Sequence, residues 1–308
     1  MSLAHRAHVG PYALERLLGA GATGAVYLAE RRGERVAVKV LHDHLLARPG
    51  FLRRFSAEAA AGMRVKHPNV LRTLDFDLLV EDECPVCFVV MEFVEGGTLR
   101  EALQDGPLPE GDVRHVGAQV AAGLAAIHGA GLVHRDIKPD NVILTPGGQA
   151  RIMDLGTVRD EIASRVPTGS DEFLGSLLYA APEQLRSEST GPPADLYALG
   201  VMLFELAAGR PAWTGPGPVA VLLGHLCEEP PRLGALVPDP SPFLAAIVGG
   251  LLEKEPAMRL GPAQRVAALL ERGEASDGWR DLPRGDVRVR AGHRLVAEVL
   301  ERADACGR

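Results

Sequence analysis

The stretch HRDIKPDNVIL, which runs from His134 to Leu144, decides the fold and the function class of this chain. It supplies a carboxylate at Asp136, an ammonium at Lys138 and an amide at Asn141, and the following MDLG segment adds a carboxylate at Asp154. Phosphoryl transfer from ATP to a hydroxyl needs a carboxylate that orients the hydroxyl, a cation beside the migrating charge and oxygen ligands for Mg²⁺. One such residue occurs by chance, whereas the ordered set predicts a phosphoryl-transfer site.

This string resembles the catalytic and metal-binding loops of the protein kinase family. The resemblance implies that Asp136 is the catalytic base toward the acceptor hydroxyl and that Lys138 neutralises charge on the γ-phosphoryl group. It also implies that Asn141 and Asp154 bind Mg²⁺, which prefers oxygen ligands. The third motif reads DLG where most members have DFG, and Leu155 is an apolar substitute of compatible size.

A glycine-rich motif, GAGATGAV, matches G-x-G-x-x-G-x-V through Gly19, Gly21 and Gly24. It lies between the strand-like runs YALERLLG and AVYLAE, whereas a dinucleotide-binding fold would place a helix after the third glycine. The context therefore predicts a hairpin tip whose backbone amides approach phosphates. A glycine hairpin without a ligand is the alternative.

The segment VAVK places Lys39 on the third predicted strand. A lysine there can reach the α- and β-phosphates of ATP, and an acid is needed to orient it. Glu58, on the predicted helix of residues 50–65, is the candidate acid. The alternative for this pair is a solvated surface bridge of little energetic weight.

The family resemblance also implies an adenine pocket. Its walls would be Leu18, Val26, Ala37, Met91 and Ile143, with backbone groups of Glu92 and Val94 hydrogen-bonded to the base.

The order of elements predicts an α+β chain with the bilobal protein kinase fold. A small N-terminal antiparallel β-sheet lobe with one main helix (residues 12–94) binds nucleotide, and a larger, mainly helical C-terminal lobe (residues 95–272) carries the catalytic loop and activation segment. Residues 273–308 form a tail with an amphipathic helix, which either packs on the larger lobe or binds a partner. Helices are predicted at residues 110–129, 194–208, 241–253 and 262–271, and Thr98 with Glu101 reads as a capping box.

The predicted activation segment runs from Asp154 to Glu183 and ends in YAAPE. In the family, an arginine before the base, here Arg135, marks kinases whose activation segment is ordered by phosphorylation. The segment offers four hydroxyls, and Thr168 or Ser170 is the hypothesised autophosphorylation site; the candidates are Ser164, Thr168, Ser170 and Ser176.

Three further predictions concern the architecture of the larger lobe. Glu183 is predicted to form a buried ion pair with Arg259. Asp195 resembles the aspartate that braces the catalytic loop, and His134 is expected to be an internal, hydrogen-bonded packing residue.

Composition limits the other classes. A net charge of −7 argues against nucleic acid or an anionic membrane as the main partner, and no apolar run reaches the length of a membrane span, so a soluble, cytoplasmic protein is expected.

Cys84 and Cys87 form a C-x-x-C that is either half of a metal or redox site or a pair of buried or turn cysteines. His42 and His44 are read as part of a solvated turn, with metal binding as the alternative.

The chain is most similar to the bacterial, eukaryotic-like serine/threonine protein kinases, over Tyr12 to Glu271, and Lys138 favours serine/threonine over tyrosine acceptors. The resemblance implies ATP and Mg²⁺, with Mn²⁺ as a substitute, protein substrates with Ser/Thr acceptors, and room for a regulatory partner. A small-molecule phosphotransferase and a pseudokinase scaffold are the alternatives.

Overall fold

The computed structural model describes residues 7–21, 23–81, 84–155, 175, 177–276 and 278–282. Four hydroxyl residues proposed for phosphorylation, namely Ser164, Thr168, Ser170 and Ser176, lie outside the described residues, as does the predicted tail helix.

The chain is divided into two compact units. The first comprises the described residues of Met1–Ala102, Ala122–Arg135 and Pro139–Thr168. The second comprises those of Leu103–Ala121, Asp136–Lys138 and Gly169–Arg308.

The first unit is built on a six-stranded sheet with the order β1-β2-β3-β4-β6-β5, in which every neighbouring pair is antiparallel. Its strands are β1 (His8–Val9), β2 (Tyr12–Gly21), β3 (Gly24–Arg31), β4 (Glu34–Leu41), β5 (Thr73–Glu81) and β6 (Cys84–Glu92).

Strict alternation of side chains gives the central strands two buried faces. On β4, Val36, Val38 and Val40 belong to one apolar cluster, whereas Ala37 and Leu41 belong to a second cluster on the opposite face. Helices α1 (Asp43–Leu46) and α2 (Phe51–Gly62) contribute to this second cluster through the buried side chains of Leu45, Phe51 and Phe55. The helix predicted at residues 50–65 is therefore confirmed.

The first unit also contains a small sheet of three short strands, which holds the segments on either side of the predicted metal residues. The strands are β7 (Gly97–Thr98), β8 (Val142–Leu144) and β9 (Ala150–Ile152), in the order β7-β8-β9. Helix α3 (Leu99–Ala102) follows β7, and its predicted capping box is present: the Glu101 N–H donates to Thr98 Oγ1 at 3.2 Å, and the Thr98 N–H donates to Glu101 Oε2 at 2.7 Å.

Within the described residues, the remaining α-helices include the four that the sequence predicts, at residues 110–129, 194–208, 241–253 and 262–271, and two that it does not. They are α4 (Glu110–Gly129), α5 (Pro182–Leu185), α6 (Pro192–Ala208), α7 (Pro218–Cys227), α8 (Pro242–Leu251) and α9 (Ala263–Arg272).

Helix α6 forms the centre of the second unit. It is buried from Ala194 to Ala207, because apolar residues surround it on every side. Glycines allow its neighbours to approach closely: a β-carbon at Gly200 of α6 would lie 2.7 Å from Leu251 of α8, and one at Gly117 of α4 would lie 2.7 Å from Leu203 of α6. None of the helices in the described part of the chain has the length and apolar character needed to cross a bilayer.

Candidate active site

The glycine-rich motif forms the turn of the β2–β3 hairpin. Gly19 pairs with Val26 and Gly21 with Gly24, so the chain reverses between two strands and enters no helix. The predicted hairpin is therefore confirmed. The glycines differ in surroundings: a β-carbon at Gly24 would lie 2.1 Å from the carbonyl oxygen of Val40, whereas one at Gly19 would meet nothing within 4 Å.

Four predicted nucleotide-site residues lie on one face of the sheet. Lys39 pairs with Val26 across β3–β4, and Ala37 pairs with Met91 across β4–β6. Ala37 and Met91 are buried in the cluster that faces α2, and Val26 packs against that cluster. Because Lys39 alternates in phase with Ala37, its stem rises from the same face. Leu18, on β2, is 37% exposed.

The last residue of β6 and the segment that follows it contact neighbouring parts of the first unit. The Glu92 N–H donates to the Arg72 carbonyl at 3.0 Å, and Val94 packs against the apolar cluster that contains Met91. Further along, Gly96 passes so close to β8 that a β-carbon there would lie 2.4 Å from the Leu144 carbonyl oxygen and 2.9 Å from the Ile143 side chain. Ile143 therefore lies beside this segment.

Lys39 is ion-paired with the aspartate of the MDLG motif. Its Nζ lies 2.7 Å from Asp154 Oδ2, and the side chains are 13% and 34% exposed. This ion pair brings together two residues that are far apart in the sequence, the strand lysine and the predicted metal ligand. Glu58 lies half-buried on α2, and its predicted contact with Lys39 stays a prediction.

Strand β9, which leads to Asp154, is fixed from two sides. On one side it pairs with β8. On the other, it is bound by the segment HPNVL, residues 67–71. The Leu71 N–H donates to the Ile152 carbonyl at 2.8 Å, and the Ile152 N–H donates to the Asn69 carbonyl at 2.9 Å. The side chain of Asn69 adds a third bond, from its Nδ2 to the Ala150 carbonyl at 2.9 Å. Such a ladder determines where the residues after Ile152 must lie.

Met153 joins the two predicted metal ligands. Its N–H donates to the Asn141 carbonyl at 2.9 Å, and its carbonyl accepts from His134 Nε2 at 2.7 Å. His134 is fully buried, which confirms its predicted role as an internal hydrogen-bonded residue. Asp154 then adopts a left-handed backbone with φ of +52°, a conformation that costs free energy in a residue other than glycine and is common at functional sites.

The donor set at this point suits a hard divalent cation. Asp154 offers a carboxylate and Asn141 a neutral amide oxygen. The hydrogen bond from the Met153 N–H to the Asn141 carbonyl joins Asn141 to the residue that precedes Asp154. Mg²⁺ binds oxygen ligands of these types together with waters and phosphates. The residues present therefore fit the predicted metal.

Asp136 and Lys138 belong to the second unit and form a pair of their own. Lys138 Nζ lies 3.6 Å from Asp136 Oδ2, and both side chains are largely buried, at 13% and 10% exposure. Arg135, immediately before them, has a left-handed backbone with φ of +66°. Ile137 between them is fully buried, which anchors this short loop.

The predicted Glu183–Arg259 pair is confirmed. Arg259 Nη1 and Nη2 lie 2.7 and 3.1 Å from the two oxygens of Glu183, and both residues are buried. The guanidinium also donates to the carbonyls of Pro193, Glu253 and Lys254. Asp195 is fully buried near the start of α6.

Sequence reasoning missed a buried polar cluster in the second unit. The Tyr197 hydroxyl lies 3.0 Å from His225 Nδ1, and Lys254 Nζ donates to the Gly224 carbonyl at 2.8 Å while lying 4.0 Å from the Trp213 ring centre. Burial lowers the pKa of His225 to about 3 and that of Lys254 to about 7. No sequence pattern marks these residues, because isolated histidines and lysines are ordinarily exposed.

The C-x-x-C motif lies on β6. Cys87 is buried there, and burial, aided by Asp77, raises the pKa of its thiol to about 12, which keeps the thiol protonated. Within the described ranges, no group of three His, Cys, Asp or Glu side chains is arranged to hold a metal ion.

Comparison with known proteins agrees with this geometry. The protein kinase domain family matches residues 12–268. The crystal structure of the Mycobacterium tuberculosis PknI kinase domain superposes with a TM-score of 0.68 at 30% identity, and the match covers 88% of this chain and 99% of that one. The chain belongs to the protein kinase domain family, and the predicted α+β protein kinase fold is confirmed.

Curated relatives in bacteria are named serine/threonine-protein kinases. A probable serine/threonine-protein kinase of Streptomyces coelicolor is 37% identical over 267 residues, and pkn2 of Myxococcus xanthus is 38% identical over 271 residues. PknA of Mycobacterium tuberculosis is 37% identical over 268 residues. The matches cover 84–85% of this chain but only 40%, 32% and 61% of those three proteins.

Proposed function

We propose that this protein is an ATP-dependent serine/threonine protein kinase that transfers the γ-phosphoryl group of ATP to hydroxyls of protein substrates. The observation that carries the proposal is the 2.7 Å ion pair between Lys39 and Asp154, together with the backbone bond that joins Asn141 to the residue before Asp154. This arrangement assembles a phosphate-binding cation and two oxygen ligands in the first unit, as phosphoryl transfer requires.

Nucleotide binding uses the face of the sheet that carries Lys39. The adenine ring would lie against Val26, Ala37 and Met91, and against Leu18 and Ile143 at its edges. Because the Glu92 N–H is already bonded to Arg72, its carbonyl is the group that accepts from the base, and Val94 supplies the neighbouring backbone donor. Gly19, Gly21 and Gly24 bring backbone amides toward the phosphates.

Asn141 and Asp154 would hold Mg²⁺, or Mn²⁺ in its place. When bound, such a cation would neutralise phosphate charge and orient the phosphates for displacement. Lys39 binds the α- and β-phosphates, and we assign Glu58 the role of orienting Lys39. The 2.7 Å ion pair places the Lys39 ammonium next to the Asp154 carboxylate, so the phosphates and the cation would meet at this point.

Asp136 and Lys138 perform the transfer. The acceptor hydroxyl oxygen forms a bond to the γ-phosphorus, the bond from that phosphorus to the bridging oxygen breaks, and ADP leaves with the electron pair. Asp136 orients the hydroxyl and accepts its proton, while Lys138 balances the charge on the γ-phosphoryl oxygens. The 3.6 Å distance between Lys138 Nζ and Asp136 Oδ2 places the two groups side by side, so that both can act on the same acceptor hydroxyl and phosphoryl group.

Regulation and location belong to the same proposal. Arg135 would bind a phosphate placed on Thr168 or Ser170, so that autophosphorylation orders the activation segment. We assign its input to a regulatory partner, and we place the enzyme in the cytoplasm. The domain bounds proposed from the sequence are residues 12–94, 95–272 and 273–308.

The test compares phosphate transfer from ATP to a mixture of dephosphorylated proteins with transfer to aminoglycosides and sugars. Transfer to serine and threonine is expected for the wild-type protein, with a loss of at least about a hundredfold in Asp136→Asn. Lys39→Met and Asp154→Ala should be equally inactive while unfolding at nearly the wild-type temperature.

Each contrary outcome has a distinct meaning. Wild-type rates in any of these three variants would refute the site. Transfer confined to small molecules would indicate a small-molecule phosphotransferase, and binding of ATP without turnover would indicate a scaffold.

A further inference from the structure

His42 makes a contact that its sequence context does not indicate. The sequence predicts a solvated turn at His42 and His44, and His44 is exposed as expected. His42, however, is half-buried, and its Nε2 lies 2.9 Å from the carbonyl oxygen of Gly21. Because a carbonyl can only accept, Nε2 carries the proton and donates to the tip of the glycine-rich hairpin.

This bond reaches past the neighbouring strand. The sheet order places β3 between β2 and β4, and Gly21, Gly24 and Leu41 lie opposite one another in three successive strands. On this side of β4, the ladder therefore joins β4 to β3 and not to β2. His42 follows Leu41, and its ring spans β3 to bind the last residue of β2. The end of β2 is thereby tied directly to the end of β4.

The backbone of His42 holds the ring in place. Its N–H donates to the Thr23 carbonyl at 3.1 Å, and its carbonyl accepts from the Leu45 N–H at 3.0 Å. Leu45 is buried in the cluster that faces α2, so the turn is anchored to the core. His42 occupies the residue before α1 but makes no side-chain bond to that helix, and His44 stacks on its ring at 5.6 Å.

We propose that His42 is a positioning residue that fixes the tip of the glycine-rich hairpin and thereby strengthens the binding of the ATP phosphates. The inference rests on the proposed function, in which the hairpin amides bind phosphate. His42 bonds to both sides of the turn, at Gly21 and at Thr23, and so holds these two residues in place. A binding site that is already ordered loses less conformational freedom when the ligand arrives.

Three variants test the proposal. His42→Leu removes the donor and keeps an apolar side chain of moderate size, whereas His42→Gln keeps an N–H donor near the position of Nε2. His115→Leu is the matched control, because His115 is exposed on α4 and belongs to the second unit. If His42→Leu does not fold, His42→Ala removes the same donor. Thermal unfolding establishes that each variant is folded.

The measurements are the dissociation constants of ATP and of adenosine, and the KM for ATP with kcat. His42→Leu should weaken ATP binding and raise KM about fivefold, the effect of one net hydrogen bond, while adenosine binding and kcat change less than about twofold. His42→Gln and His115→Leu should match the wild type. Amide hydrogen exchange of a peptide covering residues 19–26, without nucleotide, should be faster only in His42→Leu.

The outcomes separate this inference from the function on which it rests. Equal ATP affinity and equal exchange in wild type and His42→Leu would overturn it, and so would an equal loss of ATP and adenosine binding, since that indicates general damage. A wild-type protein that binds neither ligand would instead contradict the proposed function. The hydrogen-exchange comparison would still decide whether His42 holds the hairpin.

Discussion

Arg151 Nη1 lies 2.8 Å from Glu92 Oε1, which joins the strand that leads to Asp154 to the segment proposed to bind adenine. The same Glu92 oxygen accepts the Arg72 N–H at 2.9 Å, and the Arg151 guanidinium is oriented by Gln149 Oε1 at 3.1 and 3.2 Å. Both side chains of the pair are partly exposed, so its direct contribution to stability is small. Its effect is to fix Glu92, whose carbonyl is proposed to contact the base.

Replacing Arg151 by Met should therefore change nucleotide binding more than stability. Adenosine and ATP should both bind about two- to fivefold more weakly, since one charged hydrogen bond that orders the site is lost. The unfolding temperature should fall little, because exposed pairs contribute at most about 1 kcal/mol. Isothermal titration of both ligands checks this.

A double-mutant cycle with Glu92→Gln provides the control. If the two residues act through each other, the double variant should be no weaker than the more affected single variant. Independent, additive losses, or a loss of ATP affinity without a loss of adenosine affinity, would contradict the role of Arg151.

Two glycines of the hairpin should respond oppositely to alanine. Gly24→Ala places a β-carbon 2.1 Å from the Val40 carbonyl, so the strands must separate and the free energy of unfolding should fall by about 1–3 kcal/mol. Gly19→Ala meets no atom within 4 Å and should unfold like the wild type. Since Gly19 is proposed to face phosphate, its variant should bind ATP more weakly. Denaturation and nucleotide titration together check both statements, and a stable Gly24→Ala would show that the close packing is not obligatory.

Local periodicity predicted the strands and helices that carry the proposed site, whereas the roles of Asp136, Asn141 and Asp154 came from the resemblance to the protein kinase family. Alternation on β4 places Lys39 on the face of Ala37, and the strand patterns on both sides of the glycines exclude a helix after them. Helix α4 begins and ends where the alanine-rich pattern predicts, and Ser241 caps α8 through a 3.0 Å bond from the Leu244 N–H.

What the sequence could not supply are contacts between residues far apart in the chain. The Arg151–Glu92 ion pair and the Tyr197–His225 hydrogen bond join polar residues of common types, and their separations in the sequence form no recognisable motif. Helix α7 was also missed, because Gly215, Gly217 and Pro218 gave a loop pattern, although Pro218 is the first helical residue, where proline is favoured. The HPNVL contacts with β9 likewise depend on tertiary pairing.

The buried Glu183–Arg259 pair should matter for stability through the cost of breaking it. Glu183→Gln leaves the Arg259 charge buried without its carboxylate, which should lower the free energy of unfolding by about 3–5 kcal/mol. The matched control is Arg100→Met, which breaks the exposed Arg100–Asp140 pair at 3.2 Å and should cost no more than about 1 kcal/mol. Chemical denaturation measures both. Equal losses of unfolding free energy in the two variants would show that burial does not make the Glu183–Arg259 pair more costly to break than an exposed pair.

His225 should make the stability of the protein depend on pH. Burial, followed by the nearby Lys254 cation, lowers the pKa of His225 from 6.5 to about 3. Between these values the unfolded state binds the proton and the folded state does not, so stability is fully present above about pH 6.5 and falls as pH decreases, by about 1.4 kcal/mol per unit. Lys254, with its pKa lowered to about 7, is protonated in both states below about pH 6 and adds no slope there. His225→Gln, which can still pair with the Tyr197 hydroxyl, should lose this slope, whereas the exposed His115→Gln should keep it. Denaturation from about pH 7 to 5 checks the difference between the profiles, and parallel curves for wild type and His225→Gln would show that His225 does not stay neutral in the folded protein.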